Sequence, residues 1–158
     1  MLSESGSVLD LFRLTGAVAI VTGAGSGLGA GFAEALAEAG ADVVIAGRRR
    51  PQLEATAEKV RQAGGACLAV PTDVTSPDAC AALVDAAVAE FGRVDVLVNN
   101  AGMSHVAPAT AELPEDFRAV LDVNLNGAYW MAQASARVMG HGSSIVNVSS
   151  MLGLMKST

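Results

Sequence analysis

The sequence predicts an α/β protein built on a doubly wound parallel sheet. Short apolar, β-branched runs alternate along the chain with longer segments whose apolar residues recur at helical spacing. The composition agrees, because alanine, valine, leucine and glycine dominate while aromatic residues make up only 4%. Small side chains of this kind suit the close packing of helices on both faces of a parallel sheet.

The first strand–helix unit is the most sharply defined. The run "AVAIVT" (17–22) is a short apolar strand, and it leads directly into the glycine cluster "TGAGSGLG" (22–29). A helical stripe follows, formed by Leu28, Phe32, Leu36 and Ala39. Gly40 then provides a stop signal, so a helix is expected between the cluster and Gly40.

The remaining units repeat this alternation. Four further strands are expected at 42–47, 66–72, 94–99 and 144–149. The helix after the second strand has Pro51 in its first turn and ends at Gly64, and the next helix has Ser76 as its N-cap. A long helix is expected from Pro114 to about Val138.

Charge and composition exclude several functional classes. The chain of 158 residues carries 10 lysines and arginines against 16 aspartates and glutamates, a formal net charge of −6. A scattered, minority basic content does not provide the electrostatic surface that nucleic acid or anionic lipid requires. No apolar stretch approaches the length of a membrane span. We therefore expect neither a nucleic-acid partner nor a membrane partner.

The cysteines and histidines give no metal signature. Cys67 and Cys80 form no C-x-x-C pair, and His105 and His141 are isolated along the sequence. No metal site is expected, and two reduced thiols are typical of a cytoplasmic protein. The N-terminal segment contains acidic residues and no apolar core, unlike a signal peptide.

The glycine cluster predicts a dinucleotide site. Ligands of doubly wound sheets bind at the carboxyl ends of the strands, and glycines there let the backbone approach a pyrophosphate. The helix that follows would offer unpaired N–H groups and a partial positive charge to the phosphates. Gly25, Gly27 and Ala30 fit one G-x-G-x-x-A register.

The end of the second strand bears on the choice of nucleotide. A carboxylate there would bind the adenosine ribose of NAD, but the only acid, Asp42, lies at the opposite end of that strand. Gly47 and Arg48 occupy the expected position, and a guanidinium can pair with the 2′-phosphate of NADP. NADP is favoured over NAD, with the alternative that Arg48 to Arg50 only solvate a helix start.

With these residues in place, the chain resembles the short-chain dehydrogenase/reductase family from about Leu11 to Gly153. The resemblance is carried by five motifs in order: "TGAGSGLG" (22–29), "DVT" (73–75), "NNAG" (99–102), "VNLNG" (123–127) and "SSMLG" (149–153). It implies a Rossmann-like fold and oxidoreductase activity that interconverts an alcohol and a ketone.

The resemblance also implies roles for individual residues. Those expected to line the pyrophosphate and ribose are Gly23, Ala24, Gly25, Ser26, Gly27, Leu28 and Gly29. Arg48 would face the adenosine phosphate, and Asp73 and Val74 the adenine. Asn100, Ala101 and Gly102 would support the cofactor and the central strand.

Two residues match the catalytic positions of the family. Asn124 matches the asparagine that helps to hold a proton-relay water; otherwise it is a helix-interior residue at a local bend. Ser150 matches the serine that binds the substrate oxygen, with Ser149 as its structural neighbour. Alternatively, Ser150 is a turn residue at a strand end.

One part of the family pattern is missing from the sequence. The family's proton donor is a tyrosine in a Tyr-x-x-x-Lys helix, whereas the only tyrosine here, Tyr129, is followed four residues later by Gln133. Lys156 has no partner tyrosine either. We therefore expect residues 1–158 to form a single dinucleotide-binding domain, C-terminally incomplete, with five of an expected seven strands.

The sequence is compatible with two functions. The first is an NAD(P)-dependent oxidoreductase acting on a small alcohol or ketone, with this chain as its cofactor-binding portion. The alternative is a non-catalytic nucleotide-binding or interaction module, naturally truncated. The resemblance also implies a homo-oligomer at full length, because family members often pair through the long helix.

Overall fold

The computed structural model describes residues 7–150. Five parallel strands form one sheet in the spatial order β3-β2-β1-β4-β5. The strands are β1 (Val18–Thr22), β2 (Asp42–Gly47), β3 (Cys67–Pro71), β4 (Val96–Asn99) and β5 (Ser144–Asn147). The first strand of the sequence, β1, lies at the centre of the sheet, and the later strands are added outward on both sides of it. This order confirms the predicted doubly wound fold.

Helices cover the sheet. They are α1 (Gly27–Glu38), α2 (Arg50–Gln62), α3 (Pro77–Phe91), α4 (Pro114–Leu121) and α5 (Ala128–Ala136), with a short 3₁₀ helix at Val8–Phe12. A π-helical turn, Asp122–Gly127, joins α4 to α5 without a break. The three segments together make the single long helix that the sequence predicts, and the π turn lies where the alternative for Asn124 expected a local bend.

The central strands are buried on both faces. Ile20 of β1 packs with Leu83 of α3 and Met131 of α5, whereas its neighbour Val21 packs with Ala33 of α1 and Leu53 of α2. Successive strand residues point to opposite faces, so each strand contributes to two cores. The continuous apolar runs of the sequence are therefore explained by burial on both sides.

Helix boundaries follow the predicted local signals. The Ser76 hydroxyl accepts a hydrogen bond from the Ala79 N–H at the start of α3. Gly92 ends that helix in the left-handed conformation, with φ 80°. Pro51 lies in the first turn of α2.

The strand β5 forms an exposed edge of the described sheet. Within residues 7–150 it pairs only with β4, and Ile145 and Val146 are 39% and 48% exposed. A parallel strand in this position is normally covered. The apolar side chains of β5 are therefore left partly uncovered by the residues that the structure describes.

The remaining sequence expectations concern membrane spans, metal sites and the two cysteines. No helix among the described residues has the length and apolar character to cross a bilayer, and no cluster of potential metal ligands occurs in the same range. Cys67 and Cys80 are free thiols, and burial raises the pKa of each to about 11. Both are therefore weak nucleophiles at neutral pH.

Candidate functional site: a nucleotide crevice

A crevice of about 550 Å³ opens at the carboxyl ends of the strands. It lies where the chain leaves β1 and β4 in opposite directions, the position at which doubly wound sheets bind their ligands. The residues that line it are Gly23, Gly25, Ser26, Leu28, Gly29, Gly47, Arg48, Arg49, Thr72, Asp73, Val74, Asn100, Ala101, Gly102, Met103 and Val123.

Two glycines bring the backbone close together at the floor of the crevice. Gly23 has φ 66°, and a Cβ built there would lie 2.8 Å from the Ala101 Cα. A Cβ on Gly29 would collide with the Gly23 carbonyl oxygen and with the Asn100 side chain. Any larger residue at Gly29 would therefore push α1 away from the β1 turn.

The N-terminus of α1 faces this floor. The side chain of Ser26, the N-cap, makes no capping hydrogen bond, and the first turn contains no acidic residue. The amides of Gly27, Leu28 and Gly29 have no intrahelical acceptor because they begin the helix. The turn therefore presents donors and a partial positive charge, an arrangement suited to a phosphate.

Thr22 and Asn100 lock the ends of β1 and β4 together. The buried Thr22 hydroxyl oxygen accepts the N–H groups of Asn100 and Ala101, both at 3.0 Å. The Asn100 amide nitrogen donates to the carbonyls of Thr22 at 2.9 Å and Gly23 at 3.3 Å. These bonds hold the glycine turn in place on the sheet.

The end of β2 carries positive charge into the crevice. Arg48 and Arg49 both line it, and neither forms an ion pair with a described residue. Arg50 is different, because its guanidinium lies 3.8 Å from the Glu54 carboxylate on α2. The two crevice arginines are thus available to an anionic ligand.

The loop after β3 forms the opposite wall. The Thr72 N–H donates to the Gly47 carbonyl at 2.8 Å, which ties this loop to the end of β2. Asp73 Oδ1 accepts from the N–H and hydroxyl of Thr75, at 3.0 and 2.9 Å. The other carboxylate oxygen of Asp73 has no hydrogen-bond partner within residues 7–150.

Asn124 lies in the π turn and contacts the loop after β4. Its Oδ1 accepts from the Met103 N–H and its Nδ2 donates to the Met103 carbonyl, both at 2.8 Å. A Cβ on Gly102 would lie 3.4 Å from Asn124 Oδ1, which is an ordinary van der Waals contact, so the two residues are close neighbours. Turns of this type in otherwise regular helices are frequent at functional sites.

Ser150 follows β5 on the same side of the sheet. The Val148 N–H donates to the Asn99 carbonyl at 2.9 Å, so the chain still runs beside the end of β4 at that point. Ser150 is exposed. Gly153 and Lys156, which entered the sequence argument, lie outside the described residues.

The structure brings most of the expected cofactor residues together. Among the described residues that were singled out, four do not line the crevice: Ala24, Gly27, Asn124 and Ser150. Ala24 is fully buried, and its N–H donates to the Ala46 carbonyl at 3.0 Å, so it anchors the glycine turn to β2. Gly27 has φ 57° and starts α1.

Sequence reasoning assigned no cofactor role to four lining residues, which are Arg49, Thr72, Met103 and Val123. Arg49 directly follows Arg48, and Thr72 precedes Asp73, so both lie next to residues that the sequence had already assigned to the cofactor. Met103 and Val123 had none, because the hydrogen bonds of Asn124 bring their segments together. Thr22, which holds the turn, was visible only as the first residue of the glycine motif.

The fold and crevice define a dinucleotide-binding protein, and comparisons with known proteins place it in a family. The sequence model described as "short chain dehydrogenase" matches residues 17–158. The chain belongs to the short-chain dehydrogenase/reductase family, whose members bind NAD or NADP.

Individual relatives agree with this assignment. The chain is 41% identical over 148 residues to 2-dehydro-3-deoxy-D-gluconate 5-dehydrogenase of Dickeya dadantii, covering 92% of this chain and 58% of that protein. A short-chain type dehydrogenase/reductase from Mycobacterium marinum superimposes with a TM-score of 0.93 at 39% identity, covering 96% of this chain and 63% of that one. A crystal structure of NAD⁺-bound xylitol dehydrogenase gives a TM-score of 0.85 at 36% identity, covering 90% and 56% of the two chains.

The chain spans a little over half the length of the curated relatives it matches. The similarity therefore covers the crevice and the strands that form it.

Proposed function

We propose that the protein carrying this sequence is an NAD(P)-dependent oxidoreductase that interconverts a small alcohol and a ketone. Residues 1–158 would form its dinucleotide-binding portion as a single domain. The observation that carries the proposal is the uncapped start of α1 packed against the Gly23 turn at the reversal point of the sheet. Family membership supplies the reaction class.

The crevice residues favour one orientation of a bound dinucleotide. The pyrophosphate would lie on the free amides of Gly27, Leu28 and Gly29. The adenine would lie against the buried Val74, within reach of the unpaired oxygen of Asp73. Asn100, Ala101 and Gly102 would support the nicotinamide half.

NADP is favoured as the cofactor. Arg48 and Arg49 reach the crevice without a carboxylate partner among the described residues, so a 2′-phosphate would find two guanidinium groups. The NAD⁺-bound xylitol dehydrogenase supports nicotinamide cofactors in general and does not separate the two.

The bound nicotinamide would supply a hydride to the ketone or accept one from the alcohol, and the catalytic groups would bind the substrate oxygen and help to move the proton. Ser150 would donate a hydrogen bond to the substrate oxygen, and Asn124 would hold the loop at Met103 and help to order a proton-relay water. Tyr129 does not line the crevice, and no other tyrosine is present in the sequence. We therefore expect the 158 residues alone to bind the cofactor weakly at best and to show no hydride transfer.

A second copy of the chain is the expected partner. Five large apolar residues spaced four apart remain exposed along the long helix, namely Leu113, Phe117, Leu121, Leu125 and Tyr129. A stripe of this kind is typical of an interface. Light scattering should find a dimer or larger assembly, and a strictly monomeric protein would refute this part of the proposal.

The free thiols of Cys67 and Cys80 suit a reducing compartment, so a cytoplasmic location remains our expectation.

The test of the proposed activity is carbonyl-dependent loss of NADPH absorbance with the protein that carries this sequence. A panel of ketones, with alcohols and NADP⁺ in the reverse direction, covers the proposed substrate class. Consumption of NADPH that requires the ketone supports the oxidoreductase. Saturable NADPH binding without turnover on any member of the panel would favour the alternative, a nucleotide-binding module.

A further inference from the structure

Asn99, the last residue of β4, joins three elements behind the crevice. Its side chain is buried, at 5% exposure. The Asn99 Nδ2 group donates to the Ala128 carbonyl at the start of α5 and to Asn147 Oδ1 at the end of β5, both at 3.0 Å. Asn99 does not line the crevice.

The orientation of the Asn99 amide follows from its partners. The Ala128 carbonyl can only accept a hydrogen bond, so the Asn99 group facing it must be the NH₂. The same NH₂ then faces Asn147, whose oxygen must point toward it. One donor group therefore serves two acceptors on different elements.

The other half of the amide is left without a partner. Asn99 Oδ1 is buried and accepts no hydrogen bond from any residue in the range 7–150. Burying an unpaired acceptor costs about 1–3 kcal/mol. An apolar residue would avoid that cost, so stability of the sheet does not by itself explain an asparagine at this position.

The two partners of Asn99 lie next to the expected catalytic residues. The π turn that carries Asn124 ends at Gly127, one residue before Ala128. Ser150 comes three residues after Asn147. Asn99 thus connects the helix bearing Asn124 to the strand end leading to Ser150.

We propose that Asn99 is a positioning residue that fixes the π turn of Asn124 relative to the strand end of Ser150. The proposal rests on the proposed function for its catalytic consequence. Its structural consequence, an anchored π turn, can be measured separately.

The decisive variant is Asn99→Asp, which keeps the size of the side chain and replaces the donor with a second acceptor. The carboxylate would face two carbonyl-type oxygens, so both bonds are lost. We expect backbone amide exchange over residues 122–128 to accelerate on the order of tenfold. NADPH affinity should not change, while kcat should fall on the order of 100-fold, because small displacements of catalytic groups are costly.

Two further variants separate positioning from general destabilisation. Asn147→Asp keeps an acceptor for the Asn99 NH₂ and should retain near-normal exchange and kcat, whereas Asn147→Leu should lose both. Asn126→Ala is the matched control in the same π turn, since the Asn126 amide donates only to Asp122 within that turn, at 2.8 Å. It should leave kcat unchanged.

The outcomes discriminate as follows. Unchanged exchange and kcat in Asn99→Asp would overturn the proposal. The proposal would also be overturned if amide exchange became faster throughout the sheet and kcat fell only in proportion to the unfolded fraction. Asn99 would then stabilise the sheet as a whole and would not position the π turn. If the wild-type protein binds NADPH but reduces no ketone, the proposed function fails, and the local exchange result still decides the anchoring role.

Discussion

The side chain of Asn124 forms two hydrogen bonds with the backbone of a single residue, Met103, accepting from its N–H and donating to its carbonyl at 2.8 Å each. Met103 lines the crevice and Asn124 lies in the π turn of the long helix. The helix and the loop after β4 are therefore fixed to one another at the mouth of the site.

Replacing Asn124 by aspartate should break this pairing, because a carboxylate cannot donate to the Met103 carbonyl and repels it. We expect kcat for ketone reduction to fall on the order of 100-fold, with a small change in the thermal midpoint. The measurement is steady-state kinetics beside thermal unfolding, with Asn126→Ala as the matched control. Equal kcat values for Asn124→Asp and the wild type would contradict the role given to Asn124.

Gly29→Ala tests the close packing at the floor of the crevice. The added methyl group would collide with the Gly23 carbonyl and the Asn100 side chain. Overpacking of this kind costs about 1–3 kcal/mol of stability, and displacement of α1 should also weaken NADPH binding.

Gly31→Ala provides the control in the same helix. Beyond the adjoining backbone of α1, no atom lies within 4 Å of a Cβ at Gly31, and alanine is favoured over glycine in a helix by about 0.5–1 kcal/mol. We expect Gly31→Ala to be as stable as the wild type or more so, with normal NADPH affinity in a calorimetric titration. Similar losses of stability and NADPH affinity in both variants would show that the close contact at Gly29 is not responsible for the effect.

The sequence was sufficient to predict the order and type of the strands and helices, because buried parallel strands and capped helices leave strong local signals. Examples are the run 42–47, which matches β2, and Ser76, which is the N-cap of α3. A local bend at Asn124 was among the alternatives, but its π-helical form and its hydrogen bonds with Met103, distant in sequence, were not predictable. The bridge from Asn99 to Ala128 and Asn147 had no signal for the same reason.

Charge reversal at the end of β2 tests cofactor preference. Arg48→Asp should lower the ratio of kcat/KM for NADP to that for NAD by about tenfold or more, since a charge-assisted hydrogen bond is worth about 1.5–3 kcal/mol. Arg50→Gln is the control, because Arg50 already contacts Glu54. A ratio that stays constant in Arg48→Asp would mean that Arg48 only solvates the start of α2.

Asp95 should make folding stability depend on pH in the acid range. Hydrogen bonds from the Arg93 guanidinium, with a further one from the Val18 N–H, hold the pKa of the Asp95 carboxyl below its ordinary value. A lowered pKa in the folded state means that the stabilisation is fully present above the unfolded-state pKa of about 3.9 and is lost as pH falls through the folded value.

The corresponding variant is Asp95→Asn, compared with the wild type in urea unfolding at neutral and at acid pH. The variant should be less stable at neutral pH, and the difference should shrink on acidification. Asp85→Asn, on the exposed side of α3, is the matched control because it removes a carboxylate without an ion pair among the described residues. A difference for Asp95→Asn that is independent of pH would contradict the ion-pair interpretation.

The central claim is that the crevice binds a nicotinamide dinucleotide with Arg48 and Arg49 at the 2′-phosphate. Calorimetric titration of the protein that carries this sequence with NADPH and with NADH tests it most directly. The account predicts saturable binding of one NADPH per chain, about tenfold or more tighter than NADH. Equal or tighter binding of NADH would contradict the phosphate site, and binding of neither would contradict the account as a whole.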